Sequence, residues 1–387
     1  MEIPGYNPPG KADPELVAQA AEMISKAEKP ILYIGGGVIS SGAAPLVREL
    51  AEKANLYVVH TLMGKGAFPE THELSMGMPG MHGMAYANHA IQHAGLIICI
   101  GARFDDRITG DPSKFAPGAA VIHIDIDPAE INKVRRVQLP IVGDARLVLE
   151  QLVPLVKPRQ AGEWEAHLRQ WRSEHPLTYN PNPATGIAPQ YIIEQIWEVT
   201  AGEAIVTTEV GQHQMWAAQY YRCSFPRQFL TSAGLGTMGY GFPAAIGAQV
   251  GNPSKTVVDI AGDGSIQMCI QELATATVNK LPVKVCILNN GYLGMVRQWQ
   301  DLFYGKRYAG VELTGNPDFV KLADAYGGVG FLVTEKSQVR PTLERAMEIT
   351  DRPCLIDFRI PPEENVFPMI PAGKTFEDMM ETAPVGV

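Results

Sequence analysis

Long apolar runs are missing from this chain: the longest, LIICIG at 96–101 and VKVCILNN at 283–290, fall far short of the roughly 20 residues a bilayer-spanning helix needs. They read as buried parallel strands, and no membrane is an expected partner. Positive charge is also short. Lys and Arg number 32 against 41 Asp and Glu, a formal net charge of -9, and the basic residues are scattered, which argues against nucleic acid as a partner. Cysteine is sparse: Cys99, Cys223, Cys269, Cys286 and Cys354 lack metal-ligand spacing. Several sit in apolar runs where a thiol behaves as a small hydrophobe, so neither disulfides nor cysteine chemistry is expected. The N-terminal MEIPGYNPPGKADPELV has no basic n-region and no apolar h-region, so no signal peptide is read and a cytoplasmic location is expected. Low-complexity tracts and short-period repeats are absent, which excludes a solenoid.

What remains is a globular profile, 46% hydrophobic and 19% charged over 387 residues, too long for one core to organise and long enough for two. From Asp13 to about Leu155 helical periodicity (ELVAQAAEMISKA, PLVRELAEKA, ARLVLEQLVPLV) alternates with strand-like ILYIGGG, LYVVH, LIICIG and AAVIHIDIDP. A second alternating series runs from YIIEQIWEVT through AIVTTEVG, TVVDIAGDG and VKVCILNN to CLIDFRI. Strands spaced this way by helices predict α/β architecture: two doubly wound parallel-sheet domains. The boundaries are read as a first domain over 1–157, a polar, Pro-rich linker over 158–186, and a second domain over 187–387 whose last residues form a tail over an active site.

Chemistry concentrates in the second series. GDGSIQ follows one strand, and the pair Asn289 and Asn290 ends the next. Ligands of doubly wound sheets bind at the carboxyl ends of strands, so both segments can meet. Gly262 and Gly264 let backbone approach an anion, and a helix starting near Ser265 offers free N–H groups to phosphate. Asp263 and Asn290 supply the hard oxygen donors that Mg²⁺ prefers. A GDG alone would more often be a simple turn; the strand, helix and amide pair around it carry the functional reading.

These segments, with TLMGKGAFP, GARFDDR, VGQHQMWAAQYY, GLGTMGYGFPAAIGAQ and LNNGYLGMVRQWQ, resemble thiamine-diphosphate enzymes, and acetohydroxyacid (acetolactate) synthase large subunits in particular, over nearly the whole chain. The resemblance implies that Asp263, Asn290 and the backbone carbonyl of Tyr292 bind Mg²⁺, and that Gln212, His213, Gly262, Gly264 and Ser265 surround the diphosphate. Met238 corresponds to the residue that wedges between the two cofactor rings, and the backbone of Gly236 to the acceptor for its amino group. Folding the cofactor in this way makes its own proton removal effectively intramolecular. A lone Met would otherwise be read as core filling, and His213 as a structural histidine.

In the first domain GGGVISSG is not a GxGxxG fingerprint, because Ser40 stands where the third glycine belongs, and LYVVH ends in His60 instead of an acid. NAD is therefore a poor reading. The resemblance implies FAD instead, in a structural role, with contacts at Gly35, Gly36, Thr61, Leu62, Met81, His82, Gly101, Arg103, Asp105, Asp125 and Asp144. It further implies that Arg107 and Trp299 receive a second 2-ketoacid, a guanidinium matching a carboxylate by paired hydrogen bonds.

The implied reaction decarboxylates pyruvate and joins the two-carbon remainder to a second pyruvate or to 2-ketobutyrate, as in branched-chain amino acid synthesis. The family's first domain, with the glutamate that protonates the aminopyrimidine, has no counterpart in this sequence. The chain is therefore expected to be inactive alone. A homo-oligomer and a regulatory small subunit are the implied partners. Alternatives are another carboligase or decarboxylase of the glyoxylate carboligase type, or a cofactor-holding assembly subunit. The FDDR and RQW segments favour the anabolic, flavin-containing enzyme.

Overall fold

The computed structural model describes residues 9–382, which fall into two compact units. Unit 1 holds the chain up to Leu177, with Ser224–Pro226 and the segment from Phe367 onward; unit 2 holds Thr178–Cys223 and Arg227–Val366.

In unit 1 the strands are β1 (Pro30–Ile34), β2 (Val58–His60), β3 (Ser75–Gly77), β4 (Leu96–Ile100), β5 (Ala120–Asp125) and β6 (Leu139–Val142). The helices are α1 (Pro14–Lys26), α2 (Gly36–Ser40), α3 (Ala44–Ala54), α4 (Ala85–Gln92), α5 (Asp106–Thr109), α6 (Ala145–Leu155) and α7 (Glu163–Glu174). The sheet order is β3-β2-β1-β4-β5-β6, and every pairing is parallel. Every residue of β1 and β4 is buried, as strands covered on both faces must be, which is why their sequences run apolar without alternation. Helix starts follow local chemistry. Asp13 caps α1, its carboxylate accepting from the Glu15 N–H, with Pro14 in the first turn; Asp144 caps α6 in the same way.

Unit 2 adds β7 (Ile205–Thr208), β8 (Phe229–Thr231), β9 (Val257–Gly262), β10 (Lys284–Asn289), β11 (Val329–Val333) and β12 (Cys354–Arg359). Its helices are α8 (Pro189–Val199), α9 (Gln212–Tyr220), α10 (Gly241–Gly251), α11 (Glu272–Val278), α12 (Gly294–Phe303), α13 (Phe319–Ala325) and α14 (Lys336–Met347). The order is β11-β12-β10-β9-β7-β8, again all parallel. Phe242, Val257, Leu273, Val285, Phe319 and Leu355 share one core under this sheet. The predicted fold class, two doubly wound parallel sheets, is the observed one.

Two boundaries differ from the sequence reading. The span 158–186 is not all linker, because α7 lies inside it and clusters with unit 1. Its sequence, EWEAHLRQWRSE, buries Trp164 and Leu168, and the Trp164 indole N–H donates to the Pro30 carbonyl at 2.9 Å. The expected tail also belongs elsewhere: 367–382 is part of unit 1. Ile370 donates to the Met81 carbonyl at 2.8 Å, and Met369 and Met380 exchange backbone hydrogen bonds. The last part of that tail, 383–387, lies outside the described residues.

Candidate functional site

The carboxyl ends of β7 and β9 are where the strand order of unit 2 reverses, since the chain leaves β7 for β8 on one side and returns to β9 on the other. Such a switch point opens a crevice above the sheet. A pocket lies there, walled by residues 210–213, 262–265 and 292–296 with Trp216, Met238, Leu288 and Asn290. Of the residues assigned above to Mg²⁺ and diphosphate, all eight (Gln212, His213, Gly262, Asp263, Gly264, Ser265, Asn290 and Tyr292) line this one pocket, together with Met238.

Asp263 is buried directly after β9. Burial raises its carboxyl to about pKa 6, against hydrogen bonds from the Asn316 side chain and the Asn290 backbone. The Asn316 amide donates to Oδ2 at 2.6 Å. Among the described residues no Lys or Arg forms an ion pair with it, so a buried acid is held here by neutral amides alone. That donor set suits a hard cation. Asn290 is fixed by its own loop: Oδ1 accepts the Tyr292 N–H at 3.0 Å and Nδ2 donates to Gln212 Oε1 at 3.3 Å. Gln212 is in turn clamped, its Nε2 donating to Gln298 Oε1 at 2.9 Å and to the Glu364 carbonyl at 3.0 Å.

His213 is buried, and burial lowers its pKa to about 3, so the ring is neutral at pH 7. It stands 3.5 Å from Ser265 Oγ, and a Cβ on Gly262 would meet its Nδ1 at 2.7 Å. Glycine is therefore required at 262 by the imidazole. Ser265 Oγ accepts the Gly262 N–H at 3.1 Å and closes the GDGS turn. The helix expected from Ser265 is only a short 3-10 turn, Ile266–Cys269, and regular helix begins at Glu272. The anion-facing end is therefore a tight turn and not the start of a long helix.

Gly236 and Met238 belong to an exposed loop between β8 and α10; Gly236 has φ +65°, which favours glycine. Sequence reasoning missed what holds this loop. Glu209, buried at the end of β7, accepts N–H groups from Gly239 at 2.5 Å and Phe242 at 3.0 Å. Burial raises its pKa, while the N–H groups of residues 239–242 pull the other way. Its neighbour Asp259 is raised well above the carboxylate range by burial and by Glu209, with Thr207 donating to it at 2.9 Å. A Glu immediately before the VGQH segment was the available signal. Gln298, Asn316 and Glu364 were also unforeseen, since each is distant in sequence from what it holds.

Arg107 lies in unit 1 and Trp299 in unit 2, the indole edge-on to Phe303 at 5.2 Å. The flavin-assigned positions follow strand ends of unit 1: Gly35 and Gly36 after β1, Thr61 and Leu62 after β2, Met81 and His82 beyond β3, Gly101, Arg103 and Asp105 after β4, with Asp125 ending β5 and Asp144 after β6. The order of this sheet reverses between β1 and β4, where dinucleotides bind in folds of this order. Several of these groups have local work: Thr61, Asp105 and Asp144 each cap a helix. Arg103 and Asp105 pair at 3.3 Å with the Arg side chain 53% exposed, which by itself contributes little. A Cβ on Gly35 would strike the Ala102 Cα at 2.7 Å, so this glycine is demanded by packing of β1 against β4.

Fold and pocket together define an α/β protein with a crevice at a sheet switch point, walled by an acid, amides and glycines. The chain belongs to the thiamine pyrophosphate enzymes, among the acetolactate synthase large subunits. Residues 209–358 match the family described as thiamine pyrophosphate enzyme, C-terminal TPP binding domain, and residues 17–152 the thiamine pyrophosphate enzyme central domain. Acetolactate synthase large subunit of Corynebacterium glutamicum is 47% identical over 98% of this chain and 62% of that protein. Acetolactate synthase of Mycobacterium bovis is 46% identical over 98% of this chain and 63% of that protein. The isozyme 3 large subunit of Escherichia coli is 44% identical over 98% of this chain and 67% of its own length. The chain thus spans less than two thirds of the first two relatives. Among the described residues no helix is long and apolar enough to cross a membrane.

Proposed function

We propose that the chain carries the flavin-type and diphosphate-binding domains of an acetolactate synthase large subunit acting in branched-chain amino acid synthesis. Thiamine diphosphate, when bound, supplies an electron sink for decarboxylating pyruvate and passing the two-carbon unit to a second 2-ketoacid. The observation that carries this reading is the convergence of Asp263, Asn290, Gln212, His213 and Ser265 on one pocket at the β7/β9 switch point.

In this reading Asp263, Asn290 and the Tyr292 carbonyl hold Mg²⁺, which neutralises the diphosphate. His213, being neutral, and Ser265 offer hydrogen bonds to phosphate oxygens without a competing charge. Met238 and Gly236 orient the cofactor rings, and Glu209 holds the loop that carries them. The walls of the pocket include no glutamate, so the acid for the aminopyrimidine is proposed to come from outside them. Leu235 is 93% exposed and Met268 54%, which supports burial of this edge in an oligomer. A regulatory small subunit is proposed on the family's pattern. FAD is proposed at the β1/β4 switch point of unit 1, and Arg107 and Trp299 as acceptor-site residues.

Isothermal titration of the chain with thiamine diphosphate, with and without Mg²⁺, tests the proposal. Binding should need the metal, and Asp263→Asn should weaken it by about tenfold or more. Metal-independent binding, or binding indifferent to the substitution, removes the Mg²⁺ assignment. Flavin absorbance of the chain reconstituted with FAD checks the second cofactor.

A further inference from the structure

Three metal-competent side chains meet in unit 1, none of them assigned a role above. His89 lies on α4, His175 follows the C-terminal end of α7, and Glu381 lies in the C-terminal segment. One ligand atom from each lies within 4.8 Å of the other two. Within the cluster His175 Nδ1 is 2.9 Å from the Glu381 carboxylate, while the two imidazoles stack with centroids 4.4 Å apart, a face-to-face arrangement that the His175 ring must leave to share an ion with His89. Trp171 stacks on His89 at 5.4 Å, and Phe376 meets it edge-on at 4.8 Å, so an aromatic collar limits how far that ring can swing. His93 is nearby but its Nδ1 is engaged with the His89 carbonyl at 3.0 Å.

We propose that His89, His175 and Glu381 form a binding site for a divalent cation of the Zn²⁺, Co²⁺ or Ni²⁺ class, which ties the C-terminal segment to α4 and α7 within unit 1. Two imidazoles and one carboxylate, with a position left for water, is a donor set that Zn²⁺ accepts. Mg²⁺ prefers oxygen donors and keeps its waters. The cluster is therefore selective against the ion suited to Asp263. Ligand atoms about a tetrahedral Zn²⁺ stand roughly 3.4 Å apart for bonds of about 2.1 Å. The His175–Glu381 pair is already within that spacing, and with His89 held by its collar, His175 and Glu381 must rotate toward it over the remaining distance, at most 4.8 Å between ligand atoms. The His175 and Glu381 side chains are 24% and 39% exposed, which leaves a path from solvent. Three segments distant in sequence supply the ligands, so binding closes long loops and resists release of the tail.

The test uses untagged chain, stripped with EDTA and held in excess Mg²⁺, titrated with ZnCl₂ and separately with CoCl₂. A single saturable equivalent, a tetrahedral Co²⁺ absorption band, and slower proteolysis within 367–382 on adding Zn²⁺ are expected. His175→Gln and Glu381→Gln should each weaken Zn²⁺ binding by about tenfold or more, with circular dichroism unchanged. His89→Gln gives the same test from α4 should either variant fold poorly. His93→Gln and Asp263→Asn should leave Zn²⁺ binding as it was. No saturable binding, binding that survives all three ligand substitutions, or binding lost in Asp263→Asn instead overturns the proposal.

Discussion

Single carboxylates decide much of this molecule, and Glu209 is the most consequential. It gathers the N–H groups that begin α10 and so sets the loop bearing Gly236 and Met238. Glu209→Gln keeps the shape but turns an amide N–H₂ toward those donors. A loss of about 1–3 kcal/mol in unfolding free energy is expected from an unsatisfied buried donor, with weaker thiamine diphosphate binding. Denaturant titration and calorimetry on the same variant check both, and unchanged cofactor affinity would remove Glu209 from the site. Glu70 acts differently. Burial alone would raise its pKa, but Lys65 Nζ at 2.5 Å and His60 Nε2 at 3.1 Å outweigh that and hold it at about 2. Because the folded value lies below the unfolded one, the stabilisation is full above about pH 4.5 and is lost as pH falls toward 2. The shift corresponds to about 3 kcal/mol. Lys65→Met should cost about 3–5 kcal/mol at pH 7 by stranding the buried carboxylate, and should flatten the acid limb of a stability-versus-pH curve. An acid limb unchanged in the variant would mean that other carboxylates control it.

At the scale of elements, one tight junction is the turn from β1 into α2 against the end of β4. A Cβ on Gly37 would lie 2.6 Å from the Gly101 Cα, and Gly101 itself has φ +56°. Backbone is in the way, so no side chain can step aside. Gly37→Ala should destabilise unit 1 by about 1–3 kcal/mol and leave Mg²⁺-dependent binding in unit 2 unaltered, as melting curves and titration would show. The glycine run was visible in the sequence, and so was the switch-point site, because GDG, the Asn pair and VGQH each end a strand-like run and a parallel sheet sends all such ends to one edge. What could not be read was contact between segments remote in sequence. Nothing local says that Trp164 reaches the Pro30 carbonyl, so α7 looked like linker, and nothing in the proline-rich stretch after Arg359 says that Ile370 bonds Met81. The GDGS turn was mistaken for a longer helix for a similar reason: Ser265 spends its hydroxyl on Gly262.

For the molecule as a whole, two sheets of the same class have different strand orders, and each order puts its crevice in a different place. Unit 1 reverses between β1 and β4, unit 2 between β7 and β9. If each crevice takes one cofactor, the two ligands should protect separate sets of backbone amides, because a ligand that binds only the folded form suppresses the local openings that exchange requires. Hydrogen exchange read by mass spectrometry resolves this. Thiamine diphosphate with Mg²⁺ should slow exchange in peptides covering 209–216, 262–268 and 289–296, whereas FAD should slow 35–40, 61–64 and 101–109. Protection by thiamine diphosphate confined to unit 1, or FAD protection confined to unit 2, would reverse the assignment of cofactors to crevices. Protection of neither set by FAD would mean that the first sheet keeps a dinucleotide topology without a dinucleotide, with its aspartates serving only as the helix caps they already are.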